Sequence, residues 1–467
     1  MDNIKSIYFL GIGGIGMSNL ARYFISKGKK VAGYDKTETE LTRALSKEGA
    51  AIHYEDNVEQ IPDYCKDKET TLVVFTPAVP SENAEVTYFK ENGFEMQKRA
   101  QVLGLITQNS KALCCAGTHG KTTTSSMLAH ILNVSHIGCN AFLGGILKNY
   151  GTNLILSDTS EYTVVEADEY DRSFHWLHPH MALVTSVDPD HLDIYGTEEE
   201  YLKSFEKFAS LIQEGGALVM KHNIKLLPKI GTGVKLYTYS ESKGDFHAQN
   251  IKVGDGTIRF DFVTPKETID NIELGVPVRI NIENAVGSMA LAWLNGVTAD
   301  ELRRGISTFE GAKRRFDFLI KTDKLVMIDD YAHHPDELAA SITSVKELYP
   351  QKKVLGVFQP HLYTRTRDFA DEFARSLSLL DELILLDIYP ARENPIEGVT
   401  SKIIFDNVTC KKTLCSKDEL LDILRKRNDI EVLLTIGAGD IDQMLPEIKE
   451  IMEKKAPLNL PKGENKQ

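Results

Sequence analysis

The stretch that decides the fold is KALCCAGTHGKTTTSSMLAHIL, at residues 111–132. Its first part is apolar apart from the leading lysine, which predicts a buried strand, and the part after Lys121 has apolar side chains at helical spacing. A buried strand that ends in a glycine loop and opens a helix is typical of a nucleotide-binding α/β domain. The apolar stripe of the predicted helix consists of Met127, Leu128, Ile131 and Leu132.

The glycine loop differs by one position from the full phosphate-loop pattern, because Cys115 stands where the first glycine is expected. The loop amides are still expected to cradle phosphates, with Lys121 reaching the β- and γ-phosphates and the Thr122 hydroxyl holding Mg²⁺. The sequence therefore predicts an ATP site. Its residues are Gly117, Thr118, His119, Gly120, Lys121, Thr122 and Thr123.

A second glycine loop, GIGGIG at residues 11–16, follows a predicted strand, and Asp35 ends the next strand. Glycines in this position let the backbone approach a pyrophosphate at a helix N-terminus, and the acid bonds a sugar or base. A dinucleotide such as NAD and a UDP-sugar fit this pattern equally, and a tight turn without ligand is the third interpretation. The predicted ligand-binding residues are Gly11, Gly13, Gly14, Gly16 and Asp35.

Two further polar residues follow predicted strands of the central region. Glu166 ends the strand YTVVEA, and His191 follows the strand MALVTSV. Singly, each would be a solvated loop residue or a capping histidine. Because parallel strands present their carboxyl ends at one sheet edge, we predict a metal site made by Thr122, Glu166 and His191.

Strands and helices alternate along most of the 467 residues, which predicts an α/β protein of three domains. We expect a Rossmann-like N-terminal domain at 1–108, a central P-loop ATPase α/β domain at 109–312 and a Rossmann-like C-terminal domain at 313–467. A section near 235–262 has the pattern of an antiparallel hairpin insert.

Composition excludes several classes of protein. The net charge of −13 argues against a nucleic-acid binder, which needs excess lysine and arginine to neutralise phosphates. No apolar run reaches the roughly 18 residues of a membrane span, so membrane insertion is not expected. Six cysteines without a C-x-x-C pair or zinc spacing predict reduced thiols and a cytoplasmic protein.

Six motifs occur in order along nearly the whole chain: GTHGKTT, EADEYDRSF, DHLDIYG, RRF, DDYAHHPDE and FQPHLYTRT. Together they resemble the Mur ligase family of bacterial cell-wall synthesis, and the last two resemble the branch that joins L-alanine to UDP-N-acetylmuramic acid. The resemblance implies ATP-dependent amide formation through an acyl phosphate, with Mg²⁺ or Mn²⁺ as the cation. It also implies a C-terminal domain that closes over the site.

The resemblance also implies roles for individual residues. Asn281 and Asn284 would approach the adenine, Arg315 would contact the γ-phosphate, and His191 would serve the UDP-sugar as well as the metal. His333 would take the proton of the incoming amine, and Lys121 and Arg315 would stabilise the transferring phosphoryl group. The alanine site would consist of Asp330, Tyr331, His333, His361 and Arg365.

Two positions depart from the general family pattern. Ile280 stands where a histidine usually precedes Asn281, which weakens the expected adenine contacts. Phe205 stands where other branches have a carbamylated lysine, which fits the alanine-adding branch.

Three alternatives remain at this point. An NAD-dependent dehydrogenase would explain the first glycine loop and Asp35 but not GTHGKTT. A non-enzymatic UDP-sugar or ATP sensor is the second alternative, and it would give His361 and Arg365 no function. A related ligase that joins whole tripeptides is the third, and both a monomer and a homodimer are compatible with the sequence.

Overall fold

The computed structural model describes residues 3–76, 78–254, 256–391 and 393–455. By its internal contacts the chain divides into two compact units, each with its own sheet or sheets. The second unit has its main segment from Gly311 onward, and the predicted domain boundaries at 108/109 and 312/313 stay predictions. The first unit comprises Met1–Ile251, Phe260–Gly275 and Ile282–Glu310, and the second comprises Lys252–Arg259, Val276–Asn281 and Gly311–Gln467.

The first sheet has five parallel strands in the order β3-β2-β1-β4-β5, which is the strand order of a Rossmann fold without its sixth strand. The sequence pattern predicts strands at residues 7–10, 30–34 and 71–75; the last two are confirmed to the residue, and the first begins one residue earlier. The elements are β1 (Ser6–Leu10), α1 (Ile15–Ser26), β2 (Lys30–Tyr34), α2 (Glu40–Lys47), β3 (Ala51–His53), 3-10 turns at Val58–Gln60 and Asp63–Cys65, β4 (Thr71–Phe75), α3 (Ala84–Glu91), β5 (Glu95–Lys98) and α4 (Arg99–Gln108).

The central sheet has ten strands in the order β15-β14-β13-β12-β11-β10-β6-β9-β7-β8. Its elements are β6 (Lys111–Ala116), α5 (Lys121–Val134), β7 (Asn140–Leu147), β8 (Thr152–Ile155), β9 (Tyr162–Ala167), a 3-10 turn at Tyr170–Trp176, β10 (Pro179–Val184), α6 (Leu192–Tyr195), α7 (Glu198–Ala209), β11 (Ala217–Lys221), β12 (Lys235–Ser240), β13 (Phe246–Gly254), β14 (Thr257–Val263), β15 (Thr268–Glu273), α8 (Ile280–Leu294) and α9 (Ala299–Ser307). The expected hairpin is present as β13 and β14. It is not a separate insert, because the two strands continue the central sheet.

The sheet of the second unit has the order β16-β17-β21-β18-β19-β20, and only β16 runs antiparallel to its neighbour. Its elements are β16 (Asp317–Lys321), β17 (Val326–Asp330), α10 (Pro335–Leu348), β18 (Val354–Phe358), α11 (Tyr363–Asp368), α12 (Ala370–Leu377), β19 (Glu382–Leu385), α13 (Lys402–Phe405), β20 (Lys411–Leu414), α14 (Lys417–Lys426), β21 (Val432–Ile436), a 3-10 turn at Asp440–Met444 and α15 (Leu445–Glu453). The predicted alternation is confirmed. The helix expected from about residue 367 is present as α12, and a short helix that was not expected, α11, precedes it and ends at Asp368.

Within the first unit, α1 packs on β7 and β8 of the central sheet. The Asn153 side chain donates a hydrogen bond to the Ile15 carbonyl at 2.7 Å and accepts one from Arg22 at 2.8 Å. The rings of Tyr23 and Phe142 lie 5.5 Å apart between centroids. One hydrophobic core therefore runs through both sheets of the first unit.

Over the residues that the structure describes, no helix combines the length and the apolar character that crossing a bilayer requires.

Candidate active site

The loop of residues 117–120 leaves the carboxyl end of β6, which lies between β9 and β10 in the sheet. Both neighbours run parallel to β6, and Cys115 pairs with Glu166 on one side and Leu183 on the other. The loops after all three strands therefore meet at one edge. This confirms the expected convergence and identifies the edge as the candidate phosphate site.

Lys121 is the first residue of α5, and its ammonium group is fully engaged within the protein. It donates to the Gly117 carbonyl at 2.6 Å, to the Thr118 carbonyl at 3.3 Å and to the Glu169 carboxylate at 2.8 Å. The Glu169 side chain is only 2% exposed. Burial raises the pKa of Glu169, and the neighbouring Lys121 ammonium opposes that shift. The lysine is thus held at the loop by a buried counter-charge.

Thr122 and Glu166, two of the three predicted metal ligands, lie side by side. The Thr122 hydroxyl donates to Glu166 Oε1 at 2.9 Å, and the Gly144 amide donates to Oε2 at 3.0 Å. Burial raises the pKa of Glu166, while the bonds from Thr122 and Gly144 and the charge of Lys121 lower it. Hydroxyl and carboxylate oxygens are the hard ligands that Mg²⁺ prefers, so this pair fits such a cation.

Residues after β10 fix the conformation of the glycine loop. The Thr118 and His119 amides donate to Ser186, at 3.2 Å to its carbonyl and at 2.9 Å to its hydroxyl. The Thr185 hydroxyl donates to the His119 carbonyl. Since these two amides are engaged, the amides of the first turn of α5, which begins after Gly120 with its φ of +81°, are candidate donors to a phosphate.

The two asparagines of α8 have different surroundings. Asn284 accepts a hydrogen bond from Thr124 at 3.3 Å, and a Cβ at Gly120 would lie 2.9 Å from its Oδ1. Asn284 therefore packs against the glycine loop. Asn281 belongs to the second unit, and its side chain donates to the Val276 carbonyl at 3.1 Å.

A cleft of about 830 Å³ lies in the first unit, between the first sheet and the end of β9. Its volume is in the range of small-molecule sites. Of the predicted UDP-sugar residues, Gly11, Gly14, Gly16 and Asp35 line it. Other lining residues are Tyr34, Asp56, Asn83, Arg99, Glu166 and Asp168.

Asp35 holds the first glycine loop in place. Its Oδ2 accepts the Gly13 amide at 2.7 Å, and its Oδ1 accepts the Thr37 amide at 3.2 Å. A Cβ at Gly16 would lie 2.9 Å from the Arg99 side chain, so the glycine leaves that side chain room beside the loop. Gly13 itself is absent from the described lining of the cleft, so its part in the site is to anchor Asp35.

The described contacts of His191 are with residues other than the predicted metal ligands Thr122 and Glu166. Its ring is 5.1 Å from that of Tyr170, and its Nε2 is 3.6 Å from Asp190 Oδ2. It is the residue before α6 and has φ +53°, a left-handed conformation that is strained for a histidine. The structure thus brings Thr122 and Glu166 together but does not place His191 in contact with them.

The predicted alanine-site residues are neighbours within the second unit. Tyr331 and His333 lie just after β17, with ring centroids 5.3 Å apart, and His361, after β18, lies 6.3 Å from His333. The Arg315 guanidinium lies 5.3 Å above the Tyr331 ring. Asp330, whose pKa is raised by burial, accepts the Phe316 amide at 3.3 Å.

Two buried nitrogens of this group have no hydrogen-bond partner among the described residues: His361 Nδ1 and Arg365 Nη1. Burial, together with the charges of Arg365 and His333, lowers the pKa of His361 to about 4. An unpaired buried guanidinium nitrogen is costly unless an anion binds it. This corner therefore suits a carboxylate ligand.

Family models match three stretches of the chain: the Mur ligase family, catalytic domain, at residues 6–111, the Mur ligase middle domain at 115–292, and the Mur ligase, glutamate ligase domain at 314–439. The chain belongs to the Mur ligase family. A curated UDP-N-acetylmuramate--L-alanine ligase of Phocaeicola vulgatus is 62% identical over 97% of this chain and all of its own. The ligase of the same name in Porphyromonas gingivalis strain W83 is 54% identical over 96% of this chain and 99% of its own. The crystal structure of UDP-N-acetylmuramate-alanine ligase from Thermotoga maritima has 27% identity and a TM-score of 0.81, covering 97% of this chain and 100% of that chain.

Sequence reasoning missed three residues of this Mur ligase site. Glu169 lies in the motif EADEYDRSF but was not recognised as the partner of Lys121. Arg99, which lines the cleft and lies 3.8 Å from Asp168, had no motif to mark it. Glu337 is the last residue of the motif DDYAHHPDE but was given no role.

Proposed function

We propose that this chain ligates L-alanine to the lactyl carboxylate of UDP-N-acetylmuramic acid at the expense of ATP. The products would be UDP-N-acetylmuramoyl-L-alanine, ADP and phosphate, for peptidoglycan precursor synthesis in the cytoplasm. The observation that carries the proposal is the whole-length likeness to ligases of that name. The first glycine loop then serves a UDP-sugar rather than NAD.

The chemistry starts with two anions that repel each other. A carboxylate oxygen of the UDP-sugar attacks the γ-phosphorus of ATP, the bond to the β–γ bridging oxygen breaks, and ADP leaves. Lys121 and, by resemblance, Arg315 are the cations proposed to stabilise the transferring phosphoryl group. For Lys121 this requires at least one of its present hydrogen bonds to be exchanged for a phosphate oxygen.

The amine of alanine then attacks the acyl phosphate, the C–O bond to phosphate breaks, and an amide forms. The amine loses a proton, for which His333 is the proposed acceptor. The unpaired Arg365 nitrogen and His361 are proposed to receive the alanine carboxylate, and Tyr331 and Asp330 to complete that site.

Mg²⁺, or Mn²⁺ in its place, is proposed to bind Thr122 and Glu166, with water and phosphate oxygens as its other ligands. When bound, the cation would offset charge on the β- and γ-phosphates. His191 stays a proposed ligand because of the resemblance alone, since no described contact joins it to Thr122 or Glu166.

The test is phosphate release with ATP and Mg²⁺, in the presence of UDP-N-acetylmuramic acid and each of the twenty amino acids in turn. The expected result is release that needs the UDP-sugar, is greatest with L-alanine, and gives a product heavier by one alanyl residue. Release only with a tripeptide would move the chain to the other branch. Nucleotide binding without any turnover would favour the sensor, and NADH oxidation would favour the dehydrogenase.

A further inference from the structure

Glu337 is the third residue of α10 and contacts His333, one of the residues of the proposed alanine site. Its Oε2 accepts the backbone N–H of His333 at 3.0 Å and that of His334 at 3.3 Å. The same oxygen lies 3.3 Å from His333 Nδ1. Two amides therefore fix the carboxylate, so it meets the imidazole in one defined geometry.

The partners of His333 Nδ1 determine where the ring carries its hydrogen. Nδ1 is 3.0 Å from the Tyr331 carbonyl oxygen and 3.3 Å from the Glu337 carboxylate. Both groups are acceptors only, so Nδ1 must be the donor. In a neutral ring the lone pair is then on Nε2, on the far side from Glu337.

We propose that Glu337 is a positioning residue for the ligase reaction: beside the Tyr331 carbonyl, which accepts the Nδ1–H hydrogen bond, its charge keeps the His333 ring protonated on Nδ1 and leaves Nε2 as the base for the amine. This inference rests on the proposed function. It goes beyond it by naming the group that orients the base. Glu337 touches no substrate in this role, so it acts only through His333.

The charges around the imidazole show why a carboxylate is needed there. Burial lowers the pKa of His333, and the two arginines lower it further. The Glu337 charge and the Tyr331 carbonyl act in the opposite direction. Without that charge the ring would be a weaker base. The groups that face it are Glu337, Tyr331, Arg365, Arg315 and His361.

A helix cap alone would explain the two amide bonds, and the test must separate that role from the proposed one. Glu337→Gln keeps an acceptor oxygen and the capping box but removes the charge. The control is Asp336→Asn, which removes the neighbouring carboxylate, 97% exposed and 3.9 Å from His334 rather than beside His333. Both variants are expected to fold, with Glu337→Gln melting at a lower temperature than the parent because the lowered pKa of Glu337 means that its charge stabilises the folded state.

The first measurement is a ¹³C NMR titration of histidine-labelled enzyme without substrates, with His333 assigned from the signal lost in His333→Gln. We expect the pKa of His333 to fall by about one unit or more in Glu337→Gln, as loss of a nearby opposite charge requires. Asp336→Asn is expected to leave it unchanged. An unchanged His333 pKa in Glu337→Gln, or an equal shift in both variants, would overturn the proposal.

The second measurement is the pH profile of kcat at saturating alanine. In Glu337→Gln the acidic limb is expected to move to lower pH and the plateau to fall about tenfold, with KM for alanine nearly constant. A plateau and limb identical to those of the parent would contradict the role. If the NMR shift occurs but no alanine ligation is detected in the parent, the proposed function fails and the positioning geometry stands.

Discussion

Lys121 and Glu169 form a buried ion pair at the centre of the phosphate site. Removing one partner of such a pair leaves an uncompensated charge and costs about 3–5 kcal/mol, whereas removing both charges costs much less. A substitution of Lys121 is therefore expected to change both the rate of phosphate release and the free energy of unfolding.

Lys121→Ala is expected to lose at least about a hundredfold in phosphate release and about 3 kcal/mol in the free energy of unfolding. In Lys121→Ala/Glu169→Gln most of that stability should return while activity stays lost. Denaturant unfolding beside a phosphate-release assay measures both. A single variant as stable as the parent would show that Glu169 needs no counter-charge.

Gly144 is the residue that lets Glu166 approach Thr122. A Cβ at 144 would lie 2.3 Å from Glu166 Oε2. Gly144→Ala should therefore displace the carboxylate and raise the Mg²⁺ concentration for half-maximal activity by about tenfold or more. Gly231→Ala is the matched control, because its Cβ meets no atom closer than 4.0 Å. Equal Mg²⁺ dependence of the two variants would argue against Glu166 as a ligand.

Among the helices, α9 begins with a capping box that is tied to α5. The Thr298 amide and the His136 amide both donate to Glu301, at 3.0 and 2.8 Å. Burial raises the pKa of Glu301, but the bonds from Thr298 and His136 outweigh it and lower the pKa to about 2. This carboxylate therefore stabilises the folded state more when it is ionised than when it is protonated.

The pH dependence follows from the sign of that shift. The folded pKa lies below the ordinary 4.5, so the stabilisation is present above pH 4.5 and is lost as the pH falls toward 2. Glu301→Gln retains the capping box and should lose less stability than the parent over that window. Thermal unfolding at half-unit pH steps tests this. Parallel curves for parent and variant from pH 5 to 2 would show that Glu301 is not the titrating group.

At the scale of helices and strands, the features that depend on local sequence pattern were predicted. The strands and helices around both glycine loops were predicted because period and glycine position are local properties. The short helix α11, at Tyr363–Asp368, was not predicted, because it is only six residues long and lies before the helix expected from about residue 367. Pairings such as Lys121 with Glu169 were missed because 48 residues and three strands separate the partners along the chain, and only the sheet order brings them together.

At the scale of the whole molecule, the six cysteines form no disulfide, and five of them are buried. Burial also raises the pKa of the half-buried Cys410 thiol, which slows its reaction with disulfide reagents. Cys410 is expected to react first in the native protein and the rest only after unfolding. A chromogenic thiol titration measures this, and Cys410→Ser should abolish the native phase. Rapid native reaction of several thiols would contradict the burial of the other five cysteines.

The contact of α1 with β7 and β8 has a consequence for recombining this chain with its relatives. A chimaera cut near residue 109 would pair a foreign α1 with the resident β8, separating Asn153 from Arg22 and Ile15. We expect such a hybrid to yield little soluble protein, and a second hybrid that also transplants residues 140–155 to be rescued. Expression and gel filtration of the two hybrids would compare them directly. The residues that must be exchanged together would then form a discontinuous set, defined by contact with α1 rather than by position along the chain.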